Sequence, residues 1–370
     1  MDELIQFAMV WGLLAVICGV IVWAVNGFIT RKPSEDFLWG PQRVRAAPWR
    51  LMDAALAAVI FVGLDYAAAT LFGIRYSEPF LGANLRCETQ SEVAAGMPAG
   101  GFSYLLPVLR SVAAYAVETA DQARRQVWAI AVARPIQVTA LILLFTVVAG
   151  GRLYQLGITA HRWRTVLLAA YLVWLVVTPV SKIVFWLLLQ IETPKAHPVD
   201  TLLRYSDTPE TWLLVLLTVL LCAPLLEELL FRGFVQQIMV NSPEVADLVL
   251  LAVLIGIIIH GTTQVWEEGS LRNGWPIVLL IGTGAGYLGF ERLMQRWVPR
   301  PGAARAIYAT SILFALLHSS QWPTPIPLFF LSLGLGYLGY RTQSLLGPVV
   351  AHSLFNLTTV AELLSARMLD

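Results

Sequence analysis

Glu227 and Glu228 stand side by side in "LCAPLLEELLFRGF", residues 221–234, and Arg232 follows four positions after the second of them. The run is otherwise apolar. A carboxylate at mid-bilayer depth costs at least about 2.5–3.5 kcal/mol, so a compensating partner or a chemical task has to accompany these groups. On a helix, Glu228 and Arg232 share a face and can pair, whereas Glu227 points about 100° away. One carboxylate is then neutralised within its own helix. The other, Glu227, is left for a different partner and is the better candidate for a general base.

Two further segments carry groups of the same kind. In "SILFALLHSSQWPTP", residues 311–325, Phe314 and His318 stand four apart, and Pro323 is expected to stop the helix. In "GPVVAHSLFNLTT", residues 347–359, His352 and Asn356 are again four apart and place an imidazole and an amide on one face. Such a couple could donate hydrogen bonds to a developing oxyanion. Each feature also has a plainer explanation. The ion pair could merely orient two helices, and a lone histidine on an apolar face is commonly a hydrogen-bonded core residue. A second copy of the spacing, "EEGSLR" at Glu267–Arg272, contains Gly269 and Ser270 and reads as a polar turn where carboxylates are readily solvated. His260 lies near the end of its apolar run and is a weaker candidate.

The elements that must position these groups are membrane spans. The 370 residues are 57% hydrophobic and 13% charged, with mean hydropathy +0.68, whereas soluble domains carry about 25% charged residues. The expected fold is all-α, a polytopic transmembrane bundle of about 8–10 spans. Apolar runs occur near 4–29, 51–73, 135–151, 165–191, 211–239, 248–265, 275–293, 306–320, 326–341 and 345–365. The first, with acid before it and base after it and no small-residue cleavage site, reads as an uncleaved anchor. Segment 74–134, with Pro79, Pro98 and Pro107, reads as a long non-cytoplasmic loop holding a helical piece at 104–130. Arginines and lysine cluster at 31–50, 152–164 and 292–305. If those loops are cytoplasmic, both termini lie outside. At about 1.5 Å per residue, Glu227 then sits roughly 24 Å from the outer end of its run, and His318 and His352 about 18 and 10 Å from the inner ends of theirs. In a core about 30 Å thick the three can meet.

A net charge of +1 gives no field that would recruit nucleic acid. Cys18, Cys87 and Cys222 stand far apart and form neither a disulfide framework nor a metal cluster. Lysine appears only at positions 32, 182 and 195 among 25 basic residues. That bias is expected of a GC-rich, bacterial genome and suggests the inner membrane. No internal repeat is visible, which weakens a transporter built from inverted halves.

The ordered set of Glu-Glu-x-x-x-Arg, Phe-x-x-x-His and His-x-x-x-Asn resembles the CPBP family, intramembrane proteases related to the type II CAAX prenyl endopeptidase and the bacterial Abi proteins. The resemblance covers roughly 211–360 and includes "APLLEELLFRG" and "LGLGYLGYRTQSLLGPVVAHSLFN". It implies catalytic roles for Glu227, Glu228, Arg232, His318, His352 and Asn356. Glu227 and His318 would activate a water, and His352 and Asn356 would steady the oxyanion. The interval from Arg232 to Phe314 is longer than in the family, so an insertion at about 241–304 is expected within a core of 161–370. Residues 1–160 would be a separate membrane region with two or three spans. The expected substrate is a membrane-inserted or lipidated protein, and no cofactor is expected. Two carboxylates and two histidines could also bind zinc, although neither His-Glu-x-x-His nor a cysteine ligand set is present. A non-catalytic scaffold or immunity protein, and an ion-coupled transporter, remain the competing classes.

Overall fold

The computed structural model describes residues 48–49, 51–72, 74, 119–159, 162–191, 198–206, 208–268 and 275–369. Among the described residues there are ten helices and no strand. They are α1 (Leu51–Leu71), α2 (Ala120–Val148), α3 (Trp163–Leu189), α4 (Pro198–Tyr205), α5 (Pro209–Asn241), α6 (Pro243–Glu268), α7 (Trp275–Met294), α8 (Ala303–Leu317), α9 (Pro325–Thr342) and α10 (Leu346–Leu369). Five of these, α1, α2, α3, α5 and α7, are long and apolar enough to cross a membrane. The chain is therefore a polytopic helical membrane protein. The remaining apolar runs between 248 and 365 are helical as well, in α6, α8, α9 and α10. The run at 4–29 lies outside the described residues.

One boundary differs from the sequence reading. Residues 120–134, expected to close a loop whose helical piece runs over 104–130, are continuous with the span that follows as the first turns of α2, and Pro135 sits inside that helix. The hydroxyl of Thr119 caps it by accepting from the Gln122 N–H at 3.2 Å. The polarity that argued for a loop is absorbed by packing. Ala123 and Val127 bury against Leu202, Leu203 and Val215. The Arg134 guanidinium meets Asp65 of α1 at 3.1 Å and donates to the Gln137 Oε1 at 2.7 Å. Gln137 in turn donates to the Phe61 carbonyl at 2.9 Å. Paired in this way, an arginine is tolerable within an apolar bundle.

The helices that carry the motif residues pack through small side chains. A methyl added at Gly334 of α9 would come within 2.4 Å of Val177 of α3. One added at Gly347 of α10 would come within 3.2 Å of both Leu338 and Val166. Glycine at these points lets α9 and α10 approach α3 and each other closely. Around them, Ala169, Ala170, Leu331, Leu335, Leu338, Ala351 and Phe355 form one buried cluster. Segment α6–α7, the expected insertion, is joined to α8 by Arg305, which donates to Asp247 at 2.8 Å and to Glu291 at 3.0 Å.

Several turns converge at one end of the bundle. Arg300 donates to Asn241 at 3.4 Å, Arg341 to the Trp297 carbonyl at 3.3 Å, and the Leu345 N–H to the Gly157 carbonyl at 2.9 Å. The arginine-rich segments 152–164 and 292–305 therefore share a side, as alternation of the spans requires. We predict that in a cysteine-free background the exposed position in Pro299→Cys is labelled by an impermeant thiol reagent from the cytoplasmic side only. Labelling from the opposite side would invert the assignment.

Candidate active site

Helix α5 is irregular in its backbone, and the first irregularity adjoins a proline. Pro224 has no N–H, so it cannot close a helical turn onto the preceding strand of carbonyls. The N–H of Ala223 reaches back five residues to the Thr218 carbonyl, making a wide turn over Thr218–Cys222. The Val219 carbonyl loses its helical donor. Asn356 of α10 supplies one instead, donating from Nδ2 at 2.9 Å. A second wide turn spans Leu229–Val235, where the Gln236 N–H goes to the Phe231 carbonyl. The Gln237 side-chain amide covers the Arg232 carbonyl at 3.4 Å. Wide turns of this kind recur at functional sites because they rotate the side chains on either side of them.

Between the two wide turns lie the carboxylates. Glu228 is fully buried, with a side-chain exposure of 0%, while that of Glu227 is 26%. Glu228 Oε1 accepts from Arg232 Nη1 at 2.8 Å and from His352 Nδ1 at 2.8 Å. The second guanidinium nitrogen, Nη2, donates to the Ser332 Oγ at 2.6 Å and to its carbonyl at 3.1 Å. Phe314 lies against the guanidinium at 4.9 Å and Phe231 at 6.0 Å, so aromatic faces complete the cation's surroundings. His352 Nε2 looks toward Glu227 Oε2 at 3.9 Å, beyond hydrogen-bond distance. Both Glu227 Oε2 and Glu228 Oε2 are buried without a hydrogen-bond partner.

The geometry fixes the imidazole protons. His352 Nδ1 faces a carboxylate oxygen and therefore carries hydrogen, so Nε2 can donate only when the ring is an imidazolium. His318 sits just past the end of α8, which stops at Leu317 and continues as a short 3₁₀ turn over Ser319–Gln321. The helix thus ends before Pro323. Nδ1 of His318 lies 2.9 Å from the Phe314 carbonyl, so this nitrogen too carries hydrogen and Nε2 of the neutral ring is an acceptor.

Glu227, Glu228, Arg232 and His352 are in one contiguous polar cluster. Phe314 bridges the two imidazoles, its ring 5.1 Å from that of His318 and 5.8 Å from that of His352. Among the described residues no hydrogen bond joins His318 to either carboxylate. Asn356 is one turn beyond His352, with one amide hydrogen spent on Val219. Glu267 and Glu268 close α6 as helical residues, while 269–274, including Arg272, lie outside the described residues.

Residues 209–293 and 288–358 match the family described as Rce1-like, type II CAAX prenyl endopeptidase Rce1-like. The matched residues make up less than half of the chain, and over them the chain is similar to that family. The match includes all six motif residues, the four of the cluster together with His318 and Asn356, and at family level it indicates a CAAX-type intramembrane protease. No curated protein and no solved structure matches the chain.

Sequence reasoning missed Ser332, Gln236 and Gly336. Gln236 Nε2 donates to the Gly336 carbonyl at 2.9 Å, one turn along from the Arg232–Ser332 contact. The available signal was a stripe of small residues, Ser332, Gly336 and Gly339, on one face of α9. Arg232 supplies the permanent positive charge paired with the buried Glu228, so we predict that Arg232→Met destabilises the protein by about 3–5 kcal/mol. The double variant Glu228→Leu/Arg232→Met should recover most of that loss, read as thermal unfolding in detergent.

Proposed function

We propose that the chain is an intramembrane endopeptidase that hydrolyses a peptide bond in a membrane-inserted or lipidated protein, using a water activated by Glu227. The observation that carries this reading is the inequality of the adjacent carboxylates. Glu228 is engaged by a guanidinium and an imidazole through one oxygen, whereas Glu227 is partly exposed and keeps a buried oxygen without a partner beside His352. In the reaction, Glu227 accepts a proton as the water oxygen attacks the carbonyl carbon, and the carbonyl electron pair moves onto oxygen. Collapse of that tetrahedral intermediate breaks the C–N bond, and the proton held by Glu227 goes to the departing amine. Nε2 of His318 accepts a hydrogen bond from the same water. His352, as imidazolium, and the second amide hydrogen of Asn356 donate to the oxyanion.

We assign this chemistry to a core of residues 161–370 with an insertion at about 241–304, next to an N-terminal membrane region of residues 1–160. The location is the bacterial inner membrane and the partner surface is the bilayer. Glu227→Gln and His318→Ala should each slow cleavage by about 10²-fold or more while the protein inserts and purifies normally. Glu267→Gln/Glu268→Gln should leave it intact. The measurement compares membrane-protein termini in cells carrying each variant. An unchanged set of termini with Glu227→Gln would favour the scaffold instead.

A zinc hydrolase with Glu227, His318 and His352 as ligands is the alternative mechanism, and among the described residues no three His, Cys, Asp or Glu side chains are grouped to hold a metal ion. Against it, the Arg232 guanidinium lies on Glu228, and a fixed positive charge disfavours a dication there. We expect the purified protein to hold no stoichiometric zinc and to stay active after dialysis against chelator. Near one zinc per chain, with activity lost on chelation and restored by zinc, would move His352 from oxyanion donor to ligand.

A further inference from the structure

Ser332 is fully buried in α9, 100 positions beyond Arg232, and no feature of the three motifs includes it. Its hydroxyl and carbonyl together hold Arg232 Nη2, at 2.6 and 3.1 Å. The guanidinium is thereby stretched between two helices, with Nη1 on Glu228 and Nη2 on α9. That arrangement decides what Glu228 can do. Nη1 and the Nδ1–H of His352 share Oε1 of Glu228, each at 2.8 Å, and with Nη2 held on Ser332 the second oxygen, Oε2, stays without a partner. An arginine released from Ser332 would bring its second nitrogen onto the unpartnered Oε2, the fork geometry it prefers, and so turn the carboxylate out of line with the imidazole.

We propose that Ser332 is a positioning residue for the peptidase reaction, setting the orientation of His352 through Arg232 and Glu228. The inference rests on the reading of the cluster as a peptidase site. Three observations support it. The contact is supported one turn along by the bond from Gln236 to the Gly336 carbonyl. Glycine at 336 is required for the approach, since a methyl there would lie 3.0 Å from the Gln236 Oε1 and 3.1 Å from Ile307. At Gly339 a methyl would meet the Arg232 side chain itself at 3.3 Å. The register between α5 and α9 is therefore fixed at three successive turns, and Ser332 supplies the member that bears on the charge.

The test is a double-mutant cycle on kcat in full-length protein reconstituted in lipid vesicles, with Glu227→Gln run alongside. Ser332→Ala should lower kcat by about 10- to 100-fold with KM within about twofold. Arg232→Lys, a point charge that cannot span both partners, should do the same. The pair combined should be no worse than either alone. Ser311→Ala, which removes an equally buried hydroxyl bonded only within α8 to the Ile307 carbonyl, should leave kcat unchanged. If Glu227→Gln is inactive and Ser332→Ala is as fast as wild type, or if the two losses multiply, Ser332 has no positioning role. If Glu227→Gln cleaves normally, the peptidase reading itself fails and takes the inference with it.

Discussion

A guanidinium with 1% of its side chain exposed, placed inside an apolar bundle, is the constraint on which the core is built. Arg232 is charged under all ordinary conditions and cannot escape burial by losing its proton. Its surroundings must therefore supply acceptors on one side and polarisable faces on the other, or the fold is lost. The acceptors come from Glu228 on its own helix and Ser332 on α9. The faces come from Phe314 on α8 and Phe231. Three helices are thus fastened at one atom group, and Phe314 and Phe231 also meet edge to face with centroids 5.2 Å apart. The small residues of α9 follow from the same demand, since a helix lined with larger side chains could not bring Ser332 within hydrogen-bond distance.

The backbone of α5 is the second part of the same device. Its two wide turns bracket the carboxylates and release carbonyls that a regular helix would consume internally. In a bilayer such groups cannot turn to water. Asn356 answers one of them, so the residue adjacent to the imidazole on α10 is tied to α5 by a backbone bond independent of the ion pair. His352 is consequently held from two directions, by Glu228 at its ring and by Asn356 one turn along its helix. Irregular backbone here is what aligns α10 with α5, and Pro224, which has no N–H to offer, contributes to it.

Much of this was legible in the sequence, and the parts that were not share a cause. The pairing of Glu228 with Arg232 follows from four-residue spacing within one helix, a local relation that needs no tertiary information. The apolar runs from 51 to 365 located the helices because burial in lipid leaves a continuous hydrophobic signature. Ser332 escaped because its partner is 100 positions away, and the stripe it forms with Gly336 and Gly339 marks a close helix contact without naming the group it meets. The start of α2 was misplaced for the complementary reason. Arg134 looks like a loop residue, and Gln137 like an interruption of its apolar run, until Asp65 and the Phe61 carbonyl, both on another helix, are seen to satisfy them. His318 could be placed on the correct helix but not in the correct state, because its bond to the Phe314 carbonyl arises from the helix ending at Leu317, ahead of the proline expected to end it.

Two identical neighbours in sequence acquire different chemistry through rotation alone. A step of one residue around α5 carries the side chain through about 100°, and that step separates a carboxylate at 0% exposure from one at 26%. Were the pair spaced by three or four residues, both would face Arg232, and its single positive charge would be divided between them. Were Arg232 one position earlier, it would stand four after Glu227 and would sequester the group that now keeps an unpartnered oxygen. The adjacent pair with the cation four positions on is thus a compact way to hold one carboxylate as a fixed structural anion and leave the next available to accept a proton. Spacing creates the inequality between two glutamates, but the burial supplied by α8, α9 and α10 is what gives it a use.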